Sequence, residues 1–428
     1  MIPMSWGNME EMMNENKKLS GKYIMVLIAM CGLIAICLGM MVNIAGLFFT
    51  PIADEFHTGR GVVSMTLTIL NLVQAVAGMV AGKVLNEKSF RKVVVIGVLG
   101  AAVSTFLLSV SQNMALLYLL NGVRGFCGGL IGSVVVTRVI NNWFDERRGL
   151  MTSIAFSASG IAGAIFSIVF SAIITSLGWR SGYMIQSLII LVLGSPAMFF
   201  PIAMTPELVG MKPFGYHVDE AMDKKTDATS SGNAAPLSKL QFVFMVLFGI
   251  CAAYLTAFPQ HFTGMAATFS KAAVIGATMM SICMIVNTVG KILLGILIDA
   301  IGTKKATLTF SSLIAVGFLA ILINQNDVFL FAAAALIGLS YSVSTVGVAM
   351  LTRALFGQDN YGRVFPTVNL GLTLANAIGT SIIGYLYDFT KGYTVAVIVS
   401  IVMVLISIFL VFIMYARHKD LKTETVGQ

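Results

Sequence analysis

The sequence predicts an all-α membrane protein of twelve transmembrane helices arranged as two pseudo-symmetric six-helix bundles. Composition gives the class: hydrophobic residues make up 57% of the 428 positions, charged residues only 11%, and mean hydropathy is +0.90. A soluble domain needs more polar surface than that. Segmentation gives the number of helices, because the chain offers about twelve apolar runs near the ~20 residues that cross a bilayer. Repetition gives the symmetry, because short motifs recur at nearly one offset in the two halves. Spanning strands are excluded, since the apolar runs do not alternate with period two.

Taken in order, the first bundle comprises spans at roughly 23–49, 61–85, 92–111, 115–139, 150–176 and 182–204, drawn from the apolar runs. The second comprises roughly 240–262, 271–300, 304–323, 328–352, 364–387 and 393–415 on the same criterion. The expected domains are a cytoplasmic segment 1–22, a bundle 23–204, a cytoplasmic linker 205–239, a bundle 240–416 and a cytoplasmic tail 417–428. The linker is read as solvated because it carries Asp219, Glu220, Asp223, Lys224, Lys225 and Asp227 beside a Ser-Ser-Gly-Asn run. The first apolar run is long and lacks a small-residue cleavage site, so it is expected to remain as a helix.

The net charge of +8 invites a nucleic-acid reading, but its placement follows the positive-inside rule. With both termini cytoplasmic, Lys17, Lys18, Lys22, Lys88, Arg91, Lys92, Arg147, Arg148, Lys304, Lys305, Arg353, Arg363, Arg417, Lys419 and Lys422 fall inside. Arg60, Arg180, Lys271 and Lys391 fall outside. Topology and contact with anionic membrane lipids account for the charge, so no nucleic-acid partner is expected. The cysteines, Cys31, Cys37, Cys127, Cys251 and Cys283, lie in predicted spans without metal-ligand spacing, so neither disulfides nor a metal site is expected.

The repeat rests on three matches. Gly82, ahead of Asn86, Glu87, Arg91 and Lys92, corresponds to Gly295 ahead of Asp299, Gly302, Lys304 and Lys305, an offset of 213 (295 minus 82). Phe144 in Trp143-Phe-Asp-Glu-Arg-Arg-Gly149 corresponds to Phe356, an offset of 212 (356 minus 144). Pro51 and Pro259 match approximately. Duplication of six spans places a solute site near the midplane between the halves. Gly78-Gly82, Gly125-Gly129 and Gly128-Gly132 have the spacing that lets helices approach closely.

From about residue 22 to residue 416 the chain resembles a major facilitator superfamily transporter. The resemblance is carried by Gly295-x-x-x-Asp299 with its degenerate copy from Gly82 to Lys92, and by Arg124-x-x-x-Gly128-x-x-x-Gly132. The first copy departs from the family signature in having Asn86-Glu87 where an Asp is usual. Trp143 to Gly149, Gly178-Trp-Arg180, Asn287-Thr-Val-Gly-Lys291 and Gly384-Tyr-Leu-Tyr-Asp388 are similar to the oxalate/formate antiporter and monocarboxylate-porter branch. The resemblance implies transport by rocking of two bundles, with one chain sufficient and the Gly82 and Gly295 motifs acting as gating loops.

Arg124 and Lys291 are the ionisable residues placed deepest in the predicted spans. At about 1.5 Å per residue each lies roughly 12–14 Å from a membrane face, and one comes from each half. No Asp or Glu is comparably deep, and a buried cation is costly unless it meets a partner. Two uncompensated cations favour a small organic anion, whose carboxylate would accept hydrogen bonds from guanidinium and ammonium. The resemblance puts Lys291 where the branch binds substrate carboxylate. Arg124 has a second reading, as a brace bonded to helix carbonyls.

The eleventh span carries no basic residue, whereas the oxalate antiporters have one there. Instead it presents Asn369, Thr373 and Asn376 on one helical face, which argues for a monocarboxylate such as formate, lactate or pyruvate over oxalate. That stripe reads equally well as interhelical bonding. Asn287, one turn before Lys291, is a candidate to orient it, and Tyr254, Tyr341 and Gln74 are further candidate lining residues. His57 and His261 fall near outer span ends, which suits an effect at the outer mouth better than a central proton relay.

The expected activity is therefore secondary active transport of a small organic anion, by exchange against another anion or with a proton, without a cofactor. Enzymatic readings lack support: the chain has no His-Glu-x-x-His and no P-loop, and Ser157 stands where a Gly-x-Ser-Gly hydrolase pattern needs glycine. The competing readings are an efflux pump for amphipathic compounds and a membrane sensor that binds solute without moving it.

Overall fold

The computed structural model describes residues 21–84, 87, 89–200, 202–215, 239–323 and 326–426. Most of the expected N-terminal segment, residues 216–238 of the expected linker, and Asn86 and Lys88 of the first loop motif lie outside the described residues. Among the described residues the fold is helical. The membrane helices are α1 (Gly21–Glu55), α2 (Arg60–Gly82), α3 (Phe90–Ser109), α4 (Met114–Trp143), a long helix Arg148–Phe199, α7 (Lys239–Thr268), α8 (Ala273–Ile301), α9 (Thr303–Ile323), α10 (Asp327–Gly357), α11 (Arg363–Thr390) and α12 (Thr394–Ala416). The long helix leaves helical geometry at Gly178, with φ 81° and ψ 164°. A side chain essentially never adopts that conformation, so the chain reverses there and yields α5 (148–177) and α6 (179–199). Among the described residues twelve crossings result, with edges a few residues from those the apolar runs predict.

Each bundle has its own core. Leu33, Met40, Phe48, Val98, Ile140 and Phe170 belong to the first, and Phe248, Phe258, Met280, Phe318, Ile337 and Val404 to the second. Apolar side chains on the outer faces, such as Leu188, Val192, Ile292 and Phe409, stay exposed, as a lipid-facing surface requires. The glycine spacings act as expected. A Cβ on Gly129 of α4 would stand 2.6 Å from the Gln74 carbonyl oxygen of α2, so the two backbones touch.

The duplication is more regular in the fold than in the motifs. The 3-10 segment Ala45–Phe48 in α1 has its counterpart in Phe258–His261 of α7, an offset of 213 (258 minus 45). The turn at Gly178 has its counterpart in the left-handed Lys391, also 213 (391 minus 178). The break in α4 at Ile131 matches the start of the π-helical Val343–Gly347 in α10, an offset of 212 (343 minus 131). This register places Pro259 opposite Gly46. The expected pairing of Pro51 with Pro259 is corrected accordingly, because Pro51 lies beyond the 3-10 segment, inside Phe49–Glu55.

Residues 205–215 of the expected linker are anchored on the first bundle, while Glu207, Leu208, Gly210 and Lys212 among them stay exposed. Phe214 seats against Tyr23 and Phe144, its N–H donates to the Trp143 carbonyl at 2.8 Å, and Tyr23 donates to the Lys212 carbonyl at 2.8 Å. The face carrying this segment is called the linker end, and the opposite face the far end.

Candidate functional site

Among the described residues the two bundles meet at the far end between α1 and α7 and between α2 and α11, and near mid-depth between α5 and α8. Between α1 and α7, the Gly46 N–H donates to Gln260 Oε1 at 3.0 Å, where the 3-10 turn has released that N–H from the helix ladder. Between α2 and α11, Asp388 accepts the backbone N–H groups of Arg60 (2.8 Å) and Gly61 (2.7 Å), capping α2 from the other bundle. Thr68 donates to the Ala377 carbonyl at 2.6 Å, which leaves the Ser381 hydroxyl, 2.7 Å away, to donate to Thr68. Between α5 and α8, a Cβ on Gly160 would stand 3.0 Å from the Met284 carbonyl oxygen.

The Arg60 side chain adds a clamp across the same seam. It donates to the Gly264 carbonyl at 3.0 Å and to the Tyr393 hydroxyl at 3.3 Å, and its guanidinium lies 4.1 Å from the Tyr387 ring centre.

Toward the linker end the surroundings of α8 open out. A Cβ on Gly295 would meet nothing within 4 Å. Lys291, one turn earlier, is half-buried and has no hydrogen-bond or ion-pair partner among the described residues. Asn369 of α11 is exposed. The far end is therefore closed by contacts between the bundles, and Lys291 stands in more open surroundings toward the linker end.

The two central cations occupy different surroundings. Arg124 is 2% exposed and donates to Gln186 Oε1 at 3.0 Å, while Gln186 donates onward to the Met40 carbonyl at 2.8 Å. The Tyr183 ring lies 5.8 Å from the guanidinium. These partners come from α6 and from the π-helical Ala35–Asn43 of α1, so Arg124 is engaged within the first bundle. Arg124 lies ten residues into α4 from the far end and Lys291 eighteen into α8. At about 1.5 Å per residue their levels differ by roughly 12 Å. A single small carboxylate does not reach both.

The other candidates divide similarly. Asn287, 3% exposed and one turn from Lys291, keeps its Oδ1 without a partner among the described residues, as Gln74 does its Oε1 beside Gly128. Thr373 bonds back to the Asn369 carbonyl at 2.9 Å. Asn376 donates to Thr256 of α7 at 2.7 Å, so this end of the stripe serves helix packing within the second bundle. Tyr254 is buried beside Gly379, and Tyr341 is half-buried on α10.

Each loop motif makes contacts within its own bundle. Arg138 donates to the Gly82 carbonyl at 3.0 Å, and Arg91 to the Met198 carbonyl at 3.4 Å. Lys304 lies 5.2 Å from the Phe412 ring centre and 5.5 Å from that of Tyr415. Glu87, Lys92, Asp299 and Lys305 are exposed, and Gly302 turns the chain at φ 83°.

Sequence reasoning missed Gln186 and Gln260, the capping role of Asp388, the clamp made by the half-buried Arg60, and the burial of His261. His261 is 2% exposed and sealed in the far seam. The accessible signal was a polar pair, Gln260 and His261, directly after Pro259 in an otherwise apolar span.

The family model for the Major Facilitator Superfamily matches residues 31–323 and, in a second alignment, 240–427. The uncharacterized MFS-type transporter YcxA of Bacillus subtilis is 26% identical over 381 residues, 83% of this chain and 86% of that protein. Monocarboxylate transporter 13 of Rattus norvegicus is 22% identical over 364 residues, 83% of this chain and 80% of that protein. The membrane sensor protein UhpC of Salmonella typhimurium is 24% identical over 174 residues, 40% of this chain and 39% of that protein.

Proposed function

The chain belongs to the Major Facilitator Superfamily, and from that premise we propose that this transporter is a secondary carrier of small monocarboxylates, not an enzyme. The observation that carries the reading is Lys291: a half-buried ammonium on α8, without an anionic partner among the described residues, beside the open space at Gly295. A solute carboxylate supplies the missing counter-charge and accepts its hydrogen bonds. Asn287 positions the lysine from one turn away. Asn369 and Thr373 face the solute from α11, with Gln74, Tyr254 and Tyr341 as supporting polar groups. Arg124 acts as a brace for α4, α6 and α1, and keeps the potential of the interior positive.

The similarity to a monocarboxylate transporter along most of both chains favours this class over efflux of amphipathic compounds. The similarity to a membrane sensor protein keeps one second reading in view, binding without flux. The carrier is taken to work as a monomer in the plasma membrane with both termini cytoplasmic. The linker end then faces the cytoplasm, and rocking of the bundles breaks the far-end contacts to expose Lys291 outward.

The test is uptake of labelled formate, lactate, pyruvate and oxalate by liposomes holding the purified chain, with an internal anion or an inward proton gradient. Stimulation by internal anion identifies exchange, and stimulation by the gradient alone identifies proton symport. Binding of an anion without flux selects the sensor. Transport of a neutral or cationic compound with none of these anions moved refutes the reading.

A further inference from the structure

His261 sits at the meeting point of the far-end contacts. Its Nε2 lies 2.9 Å from the Thr380 carbonyl of α11, which only accepts, so Nε2 carries a proton. Its Nδ1 lies 3.4 Å from the Tyr393 hydroxyl, next to α12. That hydroxyl already accepts from Arg60 of α2, so its own proton is free to point at Nδ1. The chain of bonds therefore runs from Arg60 to Tyr393 to His261 to Thr380, and its middle link, from Tyr393 to Nδ1, requires the neutral imidazole. The ring also packs on Phe49 of α1, at 5.8 Å between centres, so helices from both bundles enclose it.

The charged and titratable groups around it are few. From α2 it faces Arg60, a fixed cation. From α11 come Tyr387, stacked on Tyr393 at 4.7 Å, and Asp388, whose carboxylate is occupied by the Arg60 and Gly61 N–H groups. From α1 it meets Phe49, while Glu55 of that helix is turned to Trp179 and Arg180 at 2.6 and 2.7 Å. Lys271, after α7, pairs with Asp327 at 2.8 Å. No carboxylate among the described residues touches the imidazole.

We propose that His261 is a proton-binding site that controls the far seam: the neutral ring holds the bundles together there, and a proton on Nδ1 drives them apart. Protonation turns Nδ1 from acceptor to donor, so Tyr393 loses the acceptor for its O–H. The phenol oxygen then faces two cationic donors, imidazolium and Arg60, inside a water-excluded contact. Once the seam opens, water solvates both charges. The open state therefore binds the proton more tightly than the closed state, and acid shifts the population toward it. This gives an interior without deep carboxylates a means of responding to a proton gradient, whatever solute is carried.

The test uses the full chain in lipid, spin-labelled at Asp54→Cys and Ser270→Cys, two exposed positions at the far ends of the first and second bundles. Distances are measured by pulsed electron resonance at about pH 5.5 and about pH 8, on either side of the ordinary histidine range. The expected result is a shift toward longer distances in acid for the labelled parent, and loss of that shift in His261→Gln. A parent with identical distributions at both pH values, or a glutamine variant that keeps the full acid shift, overturns the proposal. Should His261→Gln not fold, Arg60→Gln serves: removing the facing cation is expected to shrink the acid shift, and an undiminished shift counts against the mechanism.

Discussion

Gln260 Oε1 holds the Gly46 N–H at 3.0 Å across the pseudo-symmetry axis, joining the two equivalent 3-10 segments of α1 and α7. The contact is close because position 46 has no side chain: a Cβ there would overlap the Gln260 backbone. The break that frees the N–H thus also brings the bundles together.

Gly46→Ala is expected to disfavour the far-closed state by about 1–3 kcal/mol, the usual cost of overpacking a tight contact. Each bundle keeps its own core, so the protein should still fold. The check is the far-end spin-label distance together with solute flux. A variant with parental distances and flux would mean that the seam relaxes around the methyl group.

Lys291→Gln removes the charge expected to meet the solute carboxylate while retaining a hydrogen-bond donor. A charge-assisted bond is worth about 1.5–3 kcal/mol, so solute affinity should fall roughly 10- to 150-fold. Lys291→Arg should recover part of it. Substrate titration of liposome flux reads the effect, and an unchanged apparent affinity in the glutamine variant would remove Lys291 from the solute site.

Arg124 and Gln186 are expected to act as a unit on stability. Gln186→Leu strands the guanidinium and the Met40 carbonyl, at a cost of about 1–3 kcal/mol for buried groups left unpaired. Thermal unfolding in detergent should show a lower midpoint, with apparent solute affinity close to parental among the molecules that remain folded. Loss of affinity without loss of stability would place this group at the solute instead.

Asp388→Ala should weaken the far seam by about 0.5–2 kcal/mol, because two N–H groups at the positive end of α2 lose their acceptor. Asp388→Asn should cost less, since asparagine also caps helices well. Equal effects of the two substitutions on the far-end distance would argue that the cap contributes little.

Much of the architecture was legible before any coordinates. The apolar runs fix where the chain crosses, since backbone polar groups in lipid must be satisfied within the helix. Gly178 and Gly302 fall between predicted spans, and each takes a backbone conformation that disfavours a side chain. The site was less legible. Arg124 and Lys291 look alike as single cations in apolar runs, yet one is bonded through Gln186 to α1 and the other faces open space. Asn376 looked equivalent to Asn369 on its helical face, but only Asn376 meets Thr256. Depth along a helix is countable from sequence, whereas rotation about its axis depends on which neighbours it packs against.

The sequence by itself determined the membrane class, the twelve crossings, the duplication and the shortage of deep acidic groups, because each follows from residue type and spacing along one chain. The tertiary structure alone decided which end is closed, that Asp388 caps a helix of the opposite bundle 327 positions earlier, and that His261 is sealed between bundles. Those relationships join residues from different helices, and their free energy depends on distance in space and exclusion of water, neither of which is written in the order of the residues.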